Sequence, residues 1–480
     1  MSLAVPLPAG VECPAWIAGE AASSNGRMEV RYPYDGTRVG SAVMVDAAHV
    51  ERAIQQALAG GAPLSRYQRF QILEKARAAL ETRAEEFAGL ICAESGLCIR
   101  ETRYEIGRAL DVLHFAAIES LKDDGQIFSG DISPHGQSRK IFTMREPLRL
   151  ALAITPFNHP LNQVVHKLAP AIAAGTPLIL KPSEKTPLTA LRFTELLYEA
   201  GLPGWMLSAF LCPVTEVLEP LIRDPRIEAI TFTGSIAIGK RIASIAGYKK
   251  LCLELGGNSP LIVLEDADLD LAVQLAAEGA YRNSGQRCTA VKRLLVQRSI
   301  LDDFTKRLVD KTREYVCGNP ALADTRVGTV IDEAAAARLE SVVHEAVQHG
   351  ARVLQGGGRN GALLEPTVIA KVPRDASMVV QESFGPLAPI LAVDDVDDAI
   401  ALGNGTAYGL AAGVVTTSLS HAIRVIRELR TGTVNVNQVP GYRIESTPFG
   451  GVKDSGLGVK EGVVEAMRFM TYVKTWSLPW

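Results

Sequence analysis

A cysteine in a glycine turn gives this 480-residue sequence its clearest chemistry. In Asn283-Ser-Gly-Gln-Arg-Cys288-Thr the cysteine follows the turn and precedes the strand-like Val291 to Val296, a setting that presents a thiol for attack on a carbon centre. Arg287 beside it would favour the thiolate, the nucleophilic form, whereas a lone free cysteine is otherwise a small buried filler. Cys13, Cys92, Cys98, Cys212, Cys252 and Cys317 lie in or beside apolar segments and read as structural. The odd cysteine count and the lack of paired C-x-x-C spacing point to a reducing cytoplasm, with neither a disulfide framework nor a metal site.

Two further segments carry chemistry. In Leu253-Glu-Leu-Gly-Gly-Asn-Ser-Pro260 a single carboxylate sits in an apolar run. Burial disfavours its charged form, so Glu254 reads as a base working near neutral pH; a solvent-facing edge-strand residue is the alternative. The glycines beside it would let a ligand come close. In Phe232-Thr-Gly-Ser-Ile-Ala-Ile-Gly239 a glycine turn links a strand to the helix-like Lys240 to Ala246. Its amides suit a pyrophosphate, although an ordinary β-α turn looks the same.

A chain of this length exceeds one hydrophobic core, so several packed domains are expected. Hydrophobic residues make up 47%, and 50 basic residues stand against 53 acidic ones, which argues against a broad cationic surface for nucleic acid. The apolar stretch at Leu150 to Ile154 is broken by Pro156 and Asn158, far short of the roughly 20 residues of a membrane span. Met1 to Gly10 lacks the basic-then-apolar pattern of a leader. Helical periodicity runs through Val50 to Leu58, Arg66 to Glu94 and Arg103 to Ser120. Short apolar strands follow at Leu150 to Ile154, Pro177 to Leu180, Ala229 to Phe232 and Leu261 to Leu264, giving an α/β pattern with parallel sheets. Leu150 to Ser183 reads as a β-α-β unit whose helix is Asn162 to Ala174. Arg139 to Arg149 and Phe469 to Trp480 are extended, fit neither sheet, and are expected to pair with another subunit.

Thr155-Pro-Phe-Asn158, Lys181-Pro-Ser-Glu184, Glu254-Leu-Gly-Gly257, Gly285-Gln-Arg-Cys288, Glu382-Ser-Phe384-Gly-Pro386 and Thr447-Pro-Phe-Gly450-Gly occur in this order along nearly the whole chain. In these motifs the sequence resembles the aldehyde dehydrogenase superfamily. The resemblance implies a Rossmann-like cofactor domain (1–124 and 148–254), an α/β catalytic domain (255–463) and a small β oligomerisation element (125–147 and 464–480) in a homodimer or homotetramer. It also implies that Cys288 attacks the aldehyde, that Asn158 and the Cys288 N–H hold the oxyanion, and that Glu254 activates water to release the acid. NAD would lie along Thr155, Pro156 and Phe157, with Lys181, Ser183 and Glu184 at the adenosine ribose. Phe232, Gly234, Ser235 and Leu255 would flank the pyrophosphate, and Glu382 with Phe384 the nicotinamide ribose. The Glu184 carboxylate would repel a 2′-phosphate, favouring NAD over NADP.

The substrate end looks cationic. Arg108, His159, Arg287 and Arg443, with Thr447, would enclose a small anionic aldehyde, and the look of Phe157 to Asn162 and Gln286 to Lys292 is closest to the phosphonoacetaldehyde and lactaldehyde dehydrogenase branch. Phosphonoacetaldehyde is the expected substrate. Non-phosphorylating glyceraldehyde-3-phosphate dehydrogenases place arginines similarly, but His159 and Glu184 depart from them. Ordinary pairings compete with the anion site: Arg108 with Asp111, Arg443 with Glu445 or Glu461, and His159 as a packed turn residue. Lys292 and Arg293 read as solvated charges. A coenzyme A-dependent acylating enzyme, a silent homologue and a cofactor-binding regulatory module are the rival functions; Asn158, Glu254 and Cys288 together speak against them.

Overall fold

The computed structural model describes residues 5–480, so Met1 to Ala4, where the leader pattern was sought and the expected cofactor domain starts, lie outside the described residues. Two seven-stranded sheets, each covered by helices, form the body. In the first, parallel strands Lys250–Glu254, Ala229–Thr233, Ala151–Ile154, Leu178–Lys181 and Leu207–Ala209 lie side by side, and the antiparallel Ala15–Ile17 and Glu20–Ala22 close one edge. Ala151–Ile154 and Leu178–Lys181 are buried along their whole length, as apolar runs of a sheet covered on both faces must be. The chain order reverses between Ala151–Ile154 and Ala229–Thr233. At such a switch point the connections leave to opposite sides and open a crevice at the strands' carboxyl ends.

The helix Asn162–Ala174 links two of these strands and is buried on every side, its carboxyl end closed by Gly175 in the left-handed conformation (φ 86°). Arg69 donates to the Ala173 carbonyl there at 2.5 Å, a favourable place for a guanidinium. The single helix expected over Arg66 to Glu94 is two, Arg66–Thr82 and Ala84–Ser95, broken at Arg83 (φ −100°, ψ 19°). The second starts with Glu85 and Glu86 in its first turn, complementing the new helix amino terminus. The helix expected from Lys240 begins earlier, at Ile236, because the Ser235 hydroxyl caps the Ile238 amide.

The second sheet runs Arg352–Gln355, Thr367–Ala370, Leu387–Val393, Val291–Gln297, Ser259–Val263, Ala411–Val415, Thr433–Val436. Leu255 to Asn258 carries the chain directly from the edge strand of the first sheet into this one. A third, three-stranded sheet of Ile127–Ser129, Arg139–Pro147 and Thr471–Pro479 projects outward, with Phe142 stacked on Trp476 at 4.4 Å. These are the two extended segments left outside both sheets, and they pair with each other within one chain.

The expected boundary at residue 464 needs correction. The helix Val463–Phe469 buries Val463, Phe469 and Met470 in the core around the helix Asn162–Ala174, so it belongs to the first domain's packing and only the following strand to the outlying sheet. Phe469→Ala is therefore expected to lower unfolding free energy by about 3–5 kcal/mol in chemical denaturation. A loss under about 0.5 kcal/mol, the size of a surface change, would return this helix to the outlying sheet.

Candidate active site

A cleft of about 800 Å³ opens at this switch point. Thr155, Pro156, Phe157 and Asn158 line it from the end of one strand, and Lys181, Ser183 and Glu184 from the next. Phe232, Gly234 and Ser235 follow, then Glu254 and Leu255, while Cys288, Glu382 and Phe384 face it from the second sheet. Every residue expected at the catalytic centre or the cofactor thus shares one cavity.

The turn before Cys288 is strained. Asn283, Ser284 and Gly285 have φ of 53°, 52° and 69°, and a left-handed conformation costs the two non-glycine residues about 1 kcal/mol each or more. Surrounding bonds over-determine the turn. The Asn158 amide donates to Gln286 O (2.8 Å), the Ile331 N–H to Gln286 Oε1 (2.9 Å), and the Ser284 hydroxyl to Gly328 O (3.0 Å). The Lys292 ammonium donates to the carbonyls of Gly285 (2.5 Å) and Gly385 (3.1 Å). Lys292 and Arg293, expected in solvent, are each only 1% exposed. Strand alternation within a sheet covered on both faces leaves no solvent side, so both cations satisfy themselves on carbonyls, Arg293 on those of Asn258, Leu402 and Gly403.

Burial pushes the Cys288 thiol up to about 12, with Glu382 and Glu254 adding to the rise and Arg443 and Arg287 opposing it. Arg287 acts in the expected direction but is outweighed. Its Nη2 also donates to the carbonyls of Glu278 (3.2 Å) and Gly279 (2.9 Å), near the end of the helix Leu269–Tyr281.

Glu254 ends an edge strand yet is 3% exposed, because the segment at Ser455 and Gly456 covers it. Neither carboxylate oxygen has a hydrogen-bond partner, and burial with the neighbouring Glu461 raises its pKa well above the ordinary range. Lys167, Arg443 and Lys460 pull the other way. Cys252 lies near and is raised likewise by burial. The paired glycines admit protein rather than ligand: a Cβ on Gly257 would strike the Cys288 carbonyl, and one on Gly256 the Glu382 carboxylate. Those contacts pack the segment that joins the two seven-stranded sheets closely against Cys288 and Glu382.

Sequence reasoning missed two buried pairs. Lys167 donates to Glu461 (2.5 Å) and to the Thr231 hydroxyl (2.9 Å), and the next residue, His166, meets Glu445 at 2.6 Å. Two adjacent ionisable residues in an otherwise apolar buried helix were the available signal. Arg108 pairs with Glu445 rather than with Asp111, and Arg443 Nη2 lies 3.6 Å from the same carboxylate. His159 Nδ1 lies 3.6 Å from Glu105, whose carboxylate accepts the Leu161 and Asn162 amides, and burial lowers the His159 pKa, favouring neutral imidazole. Arg287 and Arg443 act electrostatically on Cys288, and Arg108 and Arg287 on His159, but none of the four lines the cleft that holds Cys288, and Thr447 lies exposed with its hydroxyl turned to Ile444 O (2.7 Å).

The cleft suits a dinucleotide. A capped helix begins at Ser235 where a pyrophosphate would lie, and carboxylates stand at both ends. Glu184 is paired with Lys181, and Glu382 accepts the Gly257 amide (3.2 Å), its pKa pushed up to about 7 by burial. Phe384, at φ 58°, meets Phe157 edge-on at 5.8 Å. Among the described residues no cluster of three or more metal-type ligands occurs, and no helix is long and apolar enough to cross a membrane.

Comparison with known proteins agrees with this geometry. The 3-sulfolactaldehyde dehydrogenase of Priestia megaterium is 39% identical over 95% of this chain and 96% of its own length. The sulfoacetaldehyde dehydrogenase of Neptuniibacter caesariensis is 39% identical over 85% of this chain and 89% of its own. The crystal structure of the NADP-dependent glyceraldehyde-3-phosphate dehydrogenase of Bacillus halodurans superposes with a TM-score of 0.94 at 33% identity, covering 98% of this chain and 99% of that one. The aldehyde dehydrogenase family profile matches residues 19–476. The chain belongs to the aldehyde dehydrogenase family and is an NAD(P)-dependent aldehyde oxidoreductase.

Proposed function

We propose that the enzyme oxidises phosphonoacetaldehyde to phosphonoacetate, using NAD and hydrolysing the enzyme thioester with water. One observation carries the substrate: Arg443 Nη1 and Arg287 Nε are buried guanidinium N–H groups without a partner, and both arginines act electrostatically on Cys288. Unpaired buried donors cost free energy unless a ligand satisfies them, and a tetrahedral oxyanion does so with charge-assisted bonds. Arg108 and Arg443 share the single Glu445 carboxylate, which supports an anionic substrate. A sulfonate aldehyde is the second reading, favoured by relatives named for sulfolactaldehyde and sulfoacetaldehyde. A homodimer or homotetramer in the cytoplasm completes the proposal.

In this mechanism the Cys288 thiol gives its proton to water in the cleft as its sulfur attacks the carbonyl carbon, and the oxyanion accepts the Cys288 N–H and the Asn158 amide proton not engaged by Gln286. Bound dinucleotide supplies the two-electron acceptor. Glu254 in its deprotonated form, which its raised pKa makes a strong base, then takes a proton from water, which attacks the thioester carbon and expels the Cys288 thiolate. Glu184 would meet the adenosine ribose and repel a 2′-phosphate.

The test is NADH formation with phosphonoacetaldehyde, sulfoacetaldehyde, lactaldehyde and propanal, compared by kcat/KM. The phosphonate should lead lactaldehyde and propanal by about 100-fold, the worth of two charge-assisted bonds. Sulfoacetaldehyde in front would establish the second reading, and equal turnover of propanal would sink both. For the cofactor, wild type should prefer NAD, and Glu184→Gln should raise kcat/KM for NADP about tenfold with little change for NAD. An unchanged NAD to NADP ratio would remove Glu184 from that choice.

A further inference from the structure

Glu445 stands where nothing in the reaction requires a carboxylate. It is buried, and three cationic or hydrogen-bonding side chains from separate elements converge on it. Arg108 comes from the helix Ile99–Ser120 through Nε, His166 from the helix Asn162–Ala174 through Nε2 at 2.6 Å, and Arg443 from two residues earlier through Nη2 at 3.6 Å. Arg443 is held on one more side, its guanidinium 4.1 Å over the Phe449 ring, while its Nη2 lies 3.4 Å from His166 Nε2, whose N–H donates to Glu445. After these contacts its Nη1 remains buried and unpaired. A guanidinium offers five donors in one plane, so fixing one edge fixes the direction of the rest.

We propose that Glu445 is the specificity-determining residue of this site: a built-in counter-ion that clamps Arg108 and Arg443 side by side, so that their remaining N–H groups converge on the anionic head of the aldehyde. This rests on the proposed function. Without the clamp, two long cationic side chains repel each other and lose their shared geometry, so an anion must pay the ordering that Glu445 supplies in advance. Glu445 touches neither the reacting carbon nor, in this arrangement, the substrate; it is a positioning residue. Its effect therefore falls on KM for anionic aldehydes and not on kcat.

Wild type is measured first, with phosphonoacetaldehyde as the anionic probe and propanal as the neutral one, giving the ratio of their kcat/KM values. In Glu445→Gln that ratio should fall about tenfold or more, through a higher KM for the anionic probe, the loss expected for one charge-assisted bond set. Because removing a buried charge can impair folding, Glu445→Asp is made beside it. Asp keeps the counter-charge but draws the carboxylate back by one methylene, out of reach of both guanidiniums at once, and the ratio should fall in it too. Parallel losses with both aldehydes, leaving the ratio unchanged, would make Glu445 structural only and overturn the inference. A rising ratio would overturn it as well, marking Glu445 as a competitor of the substrate. A wild type without preference for the anionic probe would instead defeat the proposed function.

Discussion

Two consecutive side chains of one wholly buried helix, His166 and Lys167, reach two carboxylates of the returning C-terminal segment, Glu445 and Glu461, and the catalytic junction rests on these pairs. Removing an ion from water costs several kcal/mol, so each of these groups holds its place only while the opposite one is present. The helix is anchored in the first sheet's core, and the segment crosses from the second sheet to cover Glu254. Breaking either pair would leave an unpaired charge beside the base or the substrate site. The two pairs thus tie the buried helix of the first sheet to the segment that returns from the second.

The same logic governs the nucleophile. Three successive left-handed residues before Cys288 form an unfavourable turn, and it persists because Lys292, Asn158 and Gln286 tie its carbonyls and side chains to three other segments. Burial raises the Cys288 thiol's pKa, and the low dielectric that does so also strengthens every donor aimed at the charge that forms during attack.

The candidate catalytic residues could be proposed from the sequence because each stands in a local pattern of glycine, proline and one reactive side chain, and such patterns survive in sequence order. The helix Asn162–Ala174 and the strands beside it were legible for the same reason, their apolar runs being short and bounded by turns. The charged groups that support them were not. Lys292 and Arg293 look like surface residues until the sheet is known to be covered on both faces, and the partners of His166 and Lys167 lie 279 and 294 residues away. Arg108 has its partner Glu445 337 residues away, beyond the reach of helical spacing rules. The break at Arg83 and the inward packing of Val463–Phe469 were hidden because periodicity alone does not report where a helix is interrupted or which core it joins.

The central claim is that Cys288 forms a thioester whose release depends on Glu254. Pre-steady-state NADH formation in Glu254→Gln, mixed rapidly with NAD and a saturating aldehyde, tests it most directly. The account predicts a burst of about one NADH per subunit, followed by turnover slowed about 100-fold or more, as removal of a general base entails. Undiminished steady turnover, or loss of the burst itself in a folded, NAD-binding variant, would contradict it.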